Sequence, residues 1–344
     1  MRDHEGQRAV MDPIADTAST HLTRLVLNSA RRAGVAADQL ATVTGTDPKS
    51  LAGESNRIPL RSLLRLWELL AHARPGPGTG IAVTAAAPLG TLTTWDYLVT
   101  NGPVLADALR AAQPYHRLVT ADVEGFELRH DGELIVEFRT TAADPAVAAV
   151  INEYVLAYYL RRAREATGRP VVPALVTFGH PAPGTHKALT DAFGTNRIEF
   201  DAPRDSITFT AADAVAPIPR ADPLLAELLR SHAELVLATA RPIPGPLEAF
   251  RTALAAELTA GSPSLGSVAA RLAISPRTLQ RHLAEHGTTW RGELDRLRHE
   301  RVRELLAQGN STIDAVARRV GFADDRALRR AYRRWTGNSP TADR

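Results

Sequence analysis

Cysteine is absent from this 344-residue chain. Disulfides, iron–sulfur clusters, cysteine zinc sites and thiol nucleophiles are therefore excluded, and a reducing compartment fits. Long uncharged apolar runs are absent too, so no membrane-spanning helix is expected. The opening segment carries Asp3, Glu5, Asp12 and Asp16 without an apolar stretch. It does not read as a secretory signal. Residues 1–21 are expected to form a mobile leader, with Met11 as an alternative start. Neither a Gly-x-Ser-x-Gly nucleophile elbow nor a P-loop lysine motif occurs.

What is present is an ordinary globular composition, 44% apolar and 23% charged, at a length that suits two domains. Charge is divided unevenly. Residues 241–344 hold 18 arginines, no lysine and 11 acidic residues, a net of +7, whereas residues 1–240 carry a net of −4. This asymmetry fits a polyanion-binding tail on a near-neutral body. An arginine-rich, solvated helical surface is the plainer alternative.

The front part reads as an α+β domain of helices with a small antiparallel sheet. Residues 22–72 look helical, with Leu63, Leu66, Trp67 and Leu70 at helical spacing. Arg74-Pro-Gly-Pro-Gly-Thr-Gly80 reads as a flexible connector rather than a phosphate cradle, because Pro77 interrupts it. A short helix is expected at 95–99 and a longer one at 104–115. Strands at 118–129 and 134–139 flank the turn signal His130-Asp-Gly-Glu133. A helix opens at Pro145, carries Val147, Val150, Ile151, Tyr154, Val155 and Tyr158 on one face, and ends near Gly168. Further strands are expected at 174–178 and 206–210, and a helix at 224–238. Pro242, Pro244 and Pro246 remove donors and fix φ. They place a linker at 241–246, between a domain of residues 22–240 and an all-α domain of residues 247–344.

The all-α part contains an internal repeat at a spacing of 48–49 residues. Val268-Ala-Ala-Arg-Leu-Ala-Ile274 matches Val316-Ala-Arg-Arg-Val-Gly-Phe322, and Leu279-Gln-Arg-His-Leu283 matches Leu328-Arg-Arg-Ala-Tyr332. Each half reads as a short helix, a tight turn and a second helix. Ser275, Ser311 and Asp324 are candidate caps, Pro276 suits a first helical position, and Gly321 suits a turn with positive φ. Leu279, Leu283, Leu328 and Tyr332 would face the core. Arg277, Thr278, Gln280 and Arg281 of one second helix, and Asp325, Arg326, Arg329 and Arg330 of the other, are then the candidate DNA-binding residues. In such a double helix-turn-helix reader the second helix enters the major groove, where Arg binds guanine and Gln binds adenine. A helix at 290–306, with Trp290, Leu294, Leu297 and Leu305 turned inward, would set the two units roughly 34 Å apart, one turn of duplex.

Three segments carry a resemblance. Ser264-Leu-Gly-Ser-Val-Ala-Ala-Arg-Leu272, Ser275-Pro-Arg-Thr-Leu-Gln-Arg281 and Val320-Gly-Phe-Ala-Asp-Asp-Arg-Ala-Leu-Arg-Arg-Ala-Tyr-Arg-Arg-Trp-Thr-Gly-Asn-Ser-Pro340 resemble the DNA-binding domain of the AraC/XylS family of transcription regulators. Leu328 and Tyr332 stand where that family usually has Phe, and Asp343 stands in place of its closing Tyr. In the front domain, Ile58-Pro-Leu-Arg-Ser-Leu-Leu-Arg-Leu-Trp-Glu-Leu-Leu70, Leu89-Gly-Thr-Leu92, Leu105-Ala-Asp-Ala-Leu-Arg110, Val176-Thr-Phe-Gly-His-Pro181 and Ala221-Asp-Pro-Leu-Leu225 resemble the "arabinose-binding" type of regulator domain. That resemblance implies effector sensing and dimerisation; the type's name is not a ligand assignment.

Other signals have plainer readings. His282-Leu-Ala-Glu-His286 spells a zinc-peptidase string, but it lies in a basic helix and reads as surface or phosphate-side histidines. The acid pairs Asp122/Glu124 and Glu124/Glu127 read as solvated hairpin faces. Tyr154, Tyr158 and Tyr159 are either core or dimer face, or line an effector pocket with Trp95, Tyr115 and His116. In the second case Arg117 or Arg161 would receive an anionic group. Arg318, Arg319, Arg333 and Arg334 are candidates for phosphate contact.

The chain thus reads as a cytoplasmic, homodimeric transcription regulator. It would bind double-stranded promoter DNA through residues 247–344 and a small-molecule effector in the front domain, with RNA polymerase a further partner. No cofactor, metal, membrane or catalytic residue is expected. The candidate effector residues are Trp95, Tyr115, His116, Arg117, Tyr154 and Tyr158. A regulator whose front domain only dimerises is one alternative. An enzyme with a DNA-targeting tail is another, although residues 22–240 show no acid/base or metal constellation.

Overall fold

A computed structural model of the chain describes residues 14–44, 51, 53, 55–122, 125–261, 263–272, 274–307 and 312–340. It divides into two compact units, residues 1–243 and 244–344. The first is rich in helix with two small sheets, and the second is helical.

In the first unit, β1 (Thr17–Ser19) leads into α1 (Thr20–Arg32) and α2 (Ala37–Thr44), and β2 (Asn56–Pro59) leads into α3 (Leu60–Ala73). Next come α4 (Thr79–Ala85), α5 (Thr94–Leu98), α6 (Leu105–Ala112) and a 3-10 turn, Gln113–Leu118. The hairpin of β3 (Gly125–Asp131) and β4 (Glu133–Arg139) precedes the long α7 (Pro145–Thr167). After it run β5 (Leu175–Thr177), α8 (Lys187–Phe193), β6 (Ile198–Glu199), β7 (Ser206–Phe209), α9 (Ala211–Ala214), α10 (Pro223–Ala238) and β8 (Arg241–Pro242). The larger sheet has the order β3-β4-β7-β5-β6, antiparallel except for the β5–β6 pair. The smaller has the order β1-β2-β8.

The centre of this unit is α7. Asp144 caps it by accepting the Ala146 N–H, Pro145 fills its first turn, and Gly168 ends it in the left-handed region at φ 66°. The helical pattern suggests one apolar face, but the helix is buried almost all round, because α3, α4, α6, α8 and β4 enclose it. A helix in that position must bury polar groups as well, and Asn152, Glu153 and Arg162 are buried. Each needs a local partner or is stranded.

Several expectations fail here. Within the segment expected as a mobile leader, residues 14–21 are structured. β1 pairs with β2, and the buried Arg57 donates to Thr17 Oγ1 at 2.7 Å and to the Leu118 carbonyl at 3.0 Å. Met11 lies outside the described residues. The helical reading of 22–72 misses β2. The strand expected from 118 begins at 125, since 113–118 coil as a 3-10 turn. Arg241 and Pro242, assigned to a linker, form a short strand parallel to β2. Proline tolerates such an edge position because its missing N–H is not needed there.

In the second unit, α11 (Pro246–Ala260), α12 (Leu265–Arg271), α13 (Pro276–Glu285), α14 (Trp290–Ala307), α15 (Ile313–Arg319) and α16 (Asp325–Thr336) build two separate apolar clusters. The first joins Phe250 and Leu254 of α11 to Val268, Leu279 and Leu283, with Trp290, Leu294 and Leu297 packed against it. The second joins Val302, Leu305 and Leu306 to Val316, Leu328 and Tyr332. The two ends of α14 therefore belong to different clusters.

Candidate nucleic-acid interface and front-domain cavity

The repeat seen in the sequence recurs in the backbone. Ile274 N–H donates to the Ala269 carbonyl at 3.0 Å, and 48 residues later Phe322 N–H donates to the Ala317 carbonyl at 2.9 Å. Beyond the turn the offset becomes 49. The Ser275 side chain accepts the Thr278 N–H at 3.1 Å, and Asp324 accepts the Ala327 N–H at 2.7 Å. The second turn thus holds one residue more, and Gly321 takes φ 76° within it. From α14, Arg298 donates to the Val320 and Gly321 carbonyls, both at 3.0 Å, and lies 4.8 Å from the Phe322 ring centroid. Ser311 lies outside the described residues, as does Asp343. The cap of α15 is Thr312, whose side chain accepts the Ala315 N–H.

Leu279 and Leu283 hold α13 by one face, and Leu328 and Tyr332 hold α16. The opposite faces carry the candidate readers. Arg277, Gln280 and Arg281 are exposed, as are Arg326, Arg329 and Arg330, while Asp325 is half-buried. Arg281 lies 3.7 Å from Glu285, and Arg329 3.3 Å from Asp325. Arg277, Arg326 and Arg330 have no ion-pair partner among the described residues. Thr278 is half-buried, and its hydroxyl lies 2.8 Å from Ser275 Oγ, so it also serves the cap. Of the four phosphate candidates, Arg318 pairs with Asp314 and Arg334 with Asp295, whereas Arg319 and Arg333 have no such partner among the described residues.

His282 departs from its expected surface position. It is buried, because three residues after Leu279 it shares the apolar face, and burial lowers its pKa. His286 Nδ1 lies 2.7 Å from the His282 carbonyl. Among the described residues no group of His, Cys, Asp and Glu is placed to hold a metal ion.

The front unit holds a cavity of about 40 Å³ between α1, α3, α5, α7 and the hairpin. Trp95, His116, Tyr154 and Tyr158 line it; Tyr115 and Arg117 do not. The Tyr115 hydroxyl donates to Glu234 Oε1 at 3.1 Å instead, and Arg117 is exposed. Arg161 is committed to Glu165 and to the Thr84 and Ala85 carbonyls. Sequence reasoning missed Trp67, Asp122 and Phe138 in this wall; Tyr159, a candidate there, also lines it. The rings pack against one another. Trp67 lies 5.4 Å from Tyr154, Trp95 5.5 Å from His116, and Tyr158 5.6 Å from Tyr159. Burial depresses the His116 pKa to about 4, so its ring is neutral at physiological pH.

Asp122, expected on a solvated hairpin face, is buried in the wall. Its Oδ1 accepts from Thr141 N at 2.7 Å and Thr141 Oγ1 at 2.5 Å, and its Oδ2 accepts from Thr140 Oγ1 at 2.7 Å. Glu124 lies outside the described residues. Behind the wall sits a second buried carboxylate, Asp96. It accepts from the Tyr158 hydroxyl at 2.5 Å and the Leu92 N–H at 3.0 Å, and lies 3.8 Å from the Arg162 guanidinium. Arg162 also pairs with Glu165 at 2.8 Å.

The glycine-rich segment before α4 is pinned rather than a free connector. Gly78 and Gly80 donate their N–H groups to the Glu153 carboxylate at 3.0–3.2 Å. A Cβ at Gly80 would press on the Val150 carbonyl and lie 2.5 Å from Tyr154 N. Only glycine allows α4 to come this close to α7. Burial pushes the Glu153 carboxyl up to about 7, against the pull of the two N–H donors.

An exposed, arginine-bearing second helix in each repeat, on a body with a front domain of this type, defines a DNA-binding transcription regulator. The N-terminal arabinose-binding domain of the AraC transcription regulator matches residues 34–218, and a helix-turn-helix domain matches residues 268–344. The chain belongs to the AraC family of transcription regulators. It is 26% identical to the ornithine utilization regulator of Pseudomonas aeruginosa over 310 residues, 90% of each chain. To the HTH-type transcriptional regulator VirS of Mycobacterium tuberculosis it is 26% identical over 290 residues, 82% of this chain and 83% of VirS. The crystal structure of the transcriptional regulator CdpR from Pseudomonas aeruginosa aligns with 94% of this chain and 97% of that one, at 21% identity and a TM-score of 0.41. Among the described residues no helix is long and apolar enough to cross a membrane.

Proposed function

We propose that the protein reads promoter DNA through two helix-turn-helix units, α12–α13 and α15–α16, with α13 and α16 in successive major grooves. The observation that carries this is the matched burial pattern of the two helices. Each is anchored by leucine or tyrosine on one face and presents arginines on the other. At 1.5 Å per residue α14 is about 27 Å long, which suits a spacer for sites one duplex turn apart. A duplex selected by the protein from a random library provides the test. Arg281→Ala and Arg330→Ala are each expected to weaken binding by about 1–3 kcal/mol. Unchanged affinity in both variants overturns the groove assignment.

The same reading makes the protein a cytoplasmic, non-catalytic homodimer that engages RNA polymerase and is controlled by an effector in the front-domain cavity. The face of α10 supports the dimer. Leu224, Leu228 and Leu235 are 74%, 67% and 58% exposed, and they fall in one stripe along the helix. Such a stripe complements itself about a two-fold axis. The small volume of the cavity favours a second reading, in which the front domain dimerises without a ligand. Thermal unfolding against a metabolite library separates the two, since a ligand that binds the folded state raises the midpoint.

A further inference from the structure

The walls of the front-domain cavity are chemically one-sided. Trp67, Trp95, Tyr154, Tyr158 and Tyr159 all line it, and the face of an aromatic ring carries partial negative charge. Among the described residues no arginine or lysine lines it. The basic ring among the described lining residues, His116, is kept neutral by burial. The nearby Arg162 guanidinium, 5.1 Å from the Tyr158 ring centroid, is matched by Asp96 and Glu165. Asp122 has no cationic partner among the described residues; its contacts are all with neutral donors. Those contacts occupy three of about four acceptor sites of a carboxylate, leaving one on Oδ2. The Tyr154 hydroxyl is buried with no hydrogen-bond partner.

We propose that this cavity binds a small organic cation, an alkylammonium ion of one or two carbons, held by the Asp122 carboxylate and the surrounding aromatic rings. The inference rests on the effector reading above and assigns its ligand class. An ammonium N–H would use the free acceptor site of Asp122 and the Tyr154 oxygen. The alkyl part would lie against Trp and Tyr, an arrangement that attracts a desolvated cation. A buried carboxylate without a counter-charge is costly, and the ligand would supply that charge. At about 40 Å³, little more than the roughly 30 Å³ share of one water, the cavity limits the ligand to two or three heavy atoms. A pentose fits poorly. Its several hydroxyls need partners, but the Tyr158 hydroxyl is spent on Asp96 and Thr120 Oγ1 already accepts the Asp122 N–H.

The test is thermal unfolding and tryptophan fluorescence of the full-length protein with methylammonium chloride, methanol and sodium formate at matched ionic strength. Trp67 and Trp95 report from the wall itself. The ammonium ion is expected to give a saturable fluorescence change and, at a hundredfold excess over its dissociation constant, a midpoint rise of about 5–10 °C. The alcohol and the carboxylate are expected to give neither. Asp122→Asn is expected to weaken ammonium binding at least about tenfold. Should that variant not fold, Tyr154→Phe with a severalfold loss replaces it. Equal or stronger effects from methanol or formate overturn the cation assignment and leave the effector reading standing. No saturable response to any of the three also overturns it. The effector reading itself falls only if the wider metabolite library is silent as well.

Discussion

Arg251 grips Glu293 through two parallel hydrogen bonds, Nε to Oε2 at 2.8 Å and Nη2 to Oε1 at 2.9 Å. The carboxylate also receives Arg296 Nη2 at 2.9 Å and Thr288 Oγ1 at 3.1 Å. These contacts fasten α11 to the first turn of α14. With Arg251 the leading cause, the Glu293 pKa falls to about 2. A depressed carboxyl pKa stabilises the fold above about pH 4.5, and that contribution drains away as pH falls towards about 2. Glu293→Gln is expected to cost about 2–3 kcal/mol at pH 7 in urea titrations, and the gap from wild type should close across that window. A gap that stays constant with pH counts against the pair.

Salt dependence separates the arginines. Arg319 and Arg333 have no acidic partner among the described residues. Alanine at either position is expected to weaken binding to all duplexes alike and to lower the slope of log affinity against log salt by about 1. Alanine at Arg318, already paired with Asp314, is expected to change the slope less. Anisotropy titrations from low to moderate salt measure both.

The α10 stripe predicts oligomeric state. Leu224 and Leu228 are largely exposed, so replacing both by Glu should leave the fold intact. Sedimentation equilibrium is expected to show a dimer for the wild type and a monomer for the double variant. A dimer that survives both changes places the interface elsewhere.

Glu153 predicts a pH effect of opposite sense to Glu293. Its folded pKa, about 7, lies above the ordinary value of 4.5. The folded state therefore holds a proton that the unfolded chain has released, and stability is lost as pH rises from about 4.5 to about 7. The amount is on the order of 3 kcal/mol. His116 pulls the other way: its pKa is lowered to about 4, so it costs stability as pH falls from 6.5. The difference in thermal midpoint between wild type and Glu153→Gln isolates the carboxyl. It should favour the variant increasingly up to pH 7 and then level off.

Gly80→Ala tests the close approach of α4 to α7. The added methyl meets backbone, which cannot swing aside, and the expected loss is about 1–3 kcal/mol by chemical denaturation. Gly76→Ala is no control for packing. It has open space, but its φ of 102° strains any side chain.

Much of this was legible in the residues. The hairpin at Gly132, α7 with its Asp144-Pro145 opening and Gly168 stop, and the 48-residue echo in the tail are all written in local chemistry. Leu279, Leu283, Leu328 and Tyr332 were placed by helical spacing alone. What escaped depends on contacts between distant segments. β2 and β8 are too short to show a period, and they exist because Arg57 and its neighbours pair with residues far along the chain. Asp122 looks like a surface acid until Thr140 and Thr141 are brought against it. The glycines at 78 and 80 look like slack until Glu153 arrives from α7. The cavity showed the same limit: the large rings on α5 and α7 were found, but Trp67 on α3 needed the tertiary packing to join them.

One rod, α14, is rooted at its start in the core around Phe250 and at its end in the core around Tyr332. Each nucleus is small for independent stability. Neither can melt without fraying the shared strut beneath the other. The carboxyl-terminal unit should consequently lose both cores in a single calorimetric transition, so that a lesion in one half disarms the other.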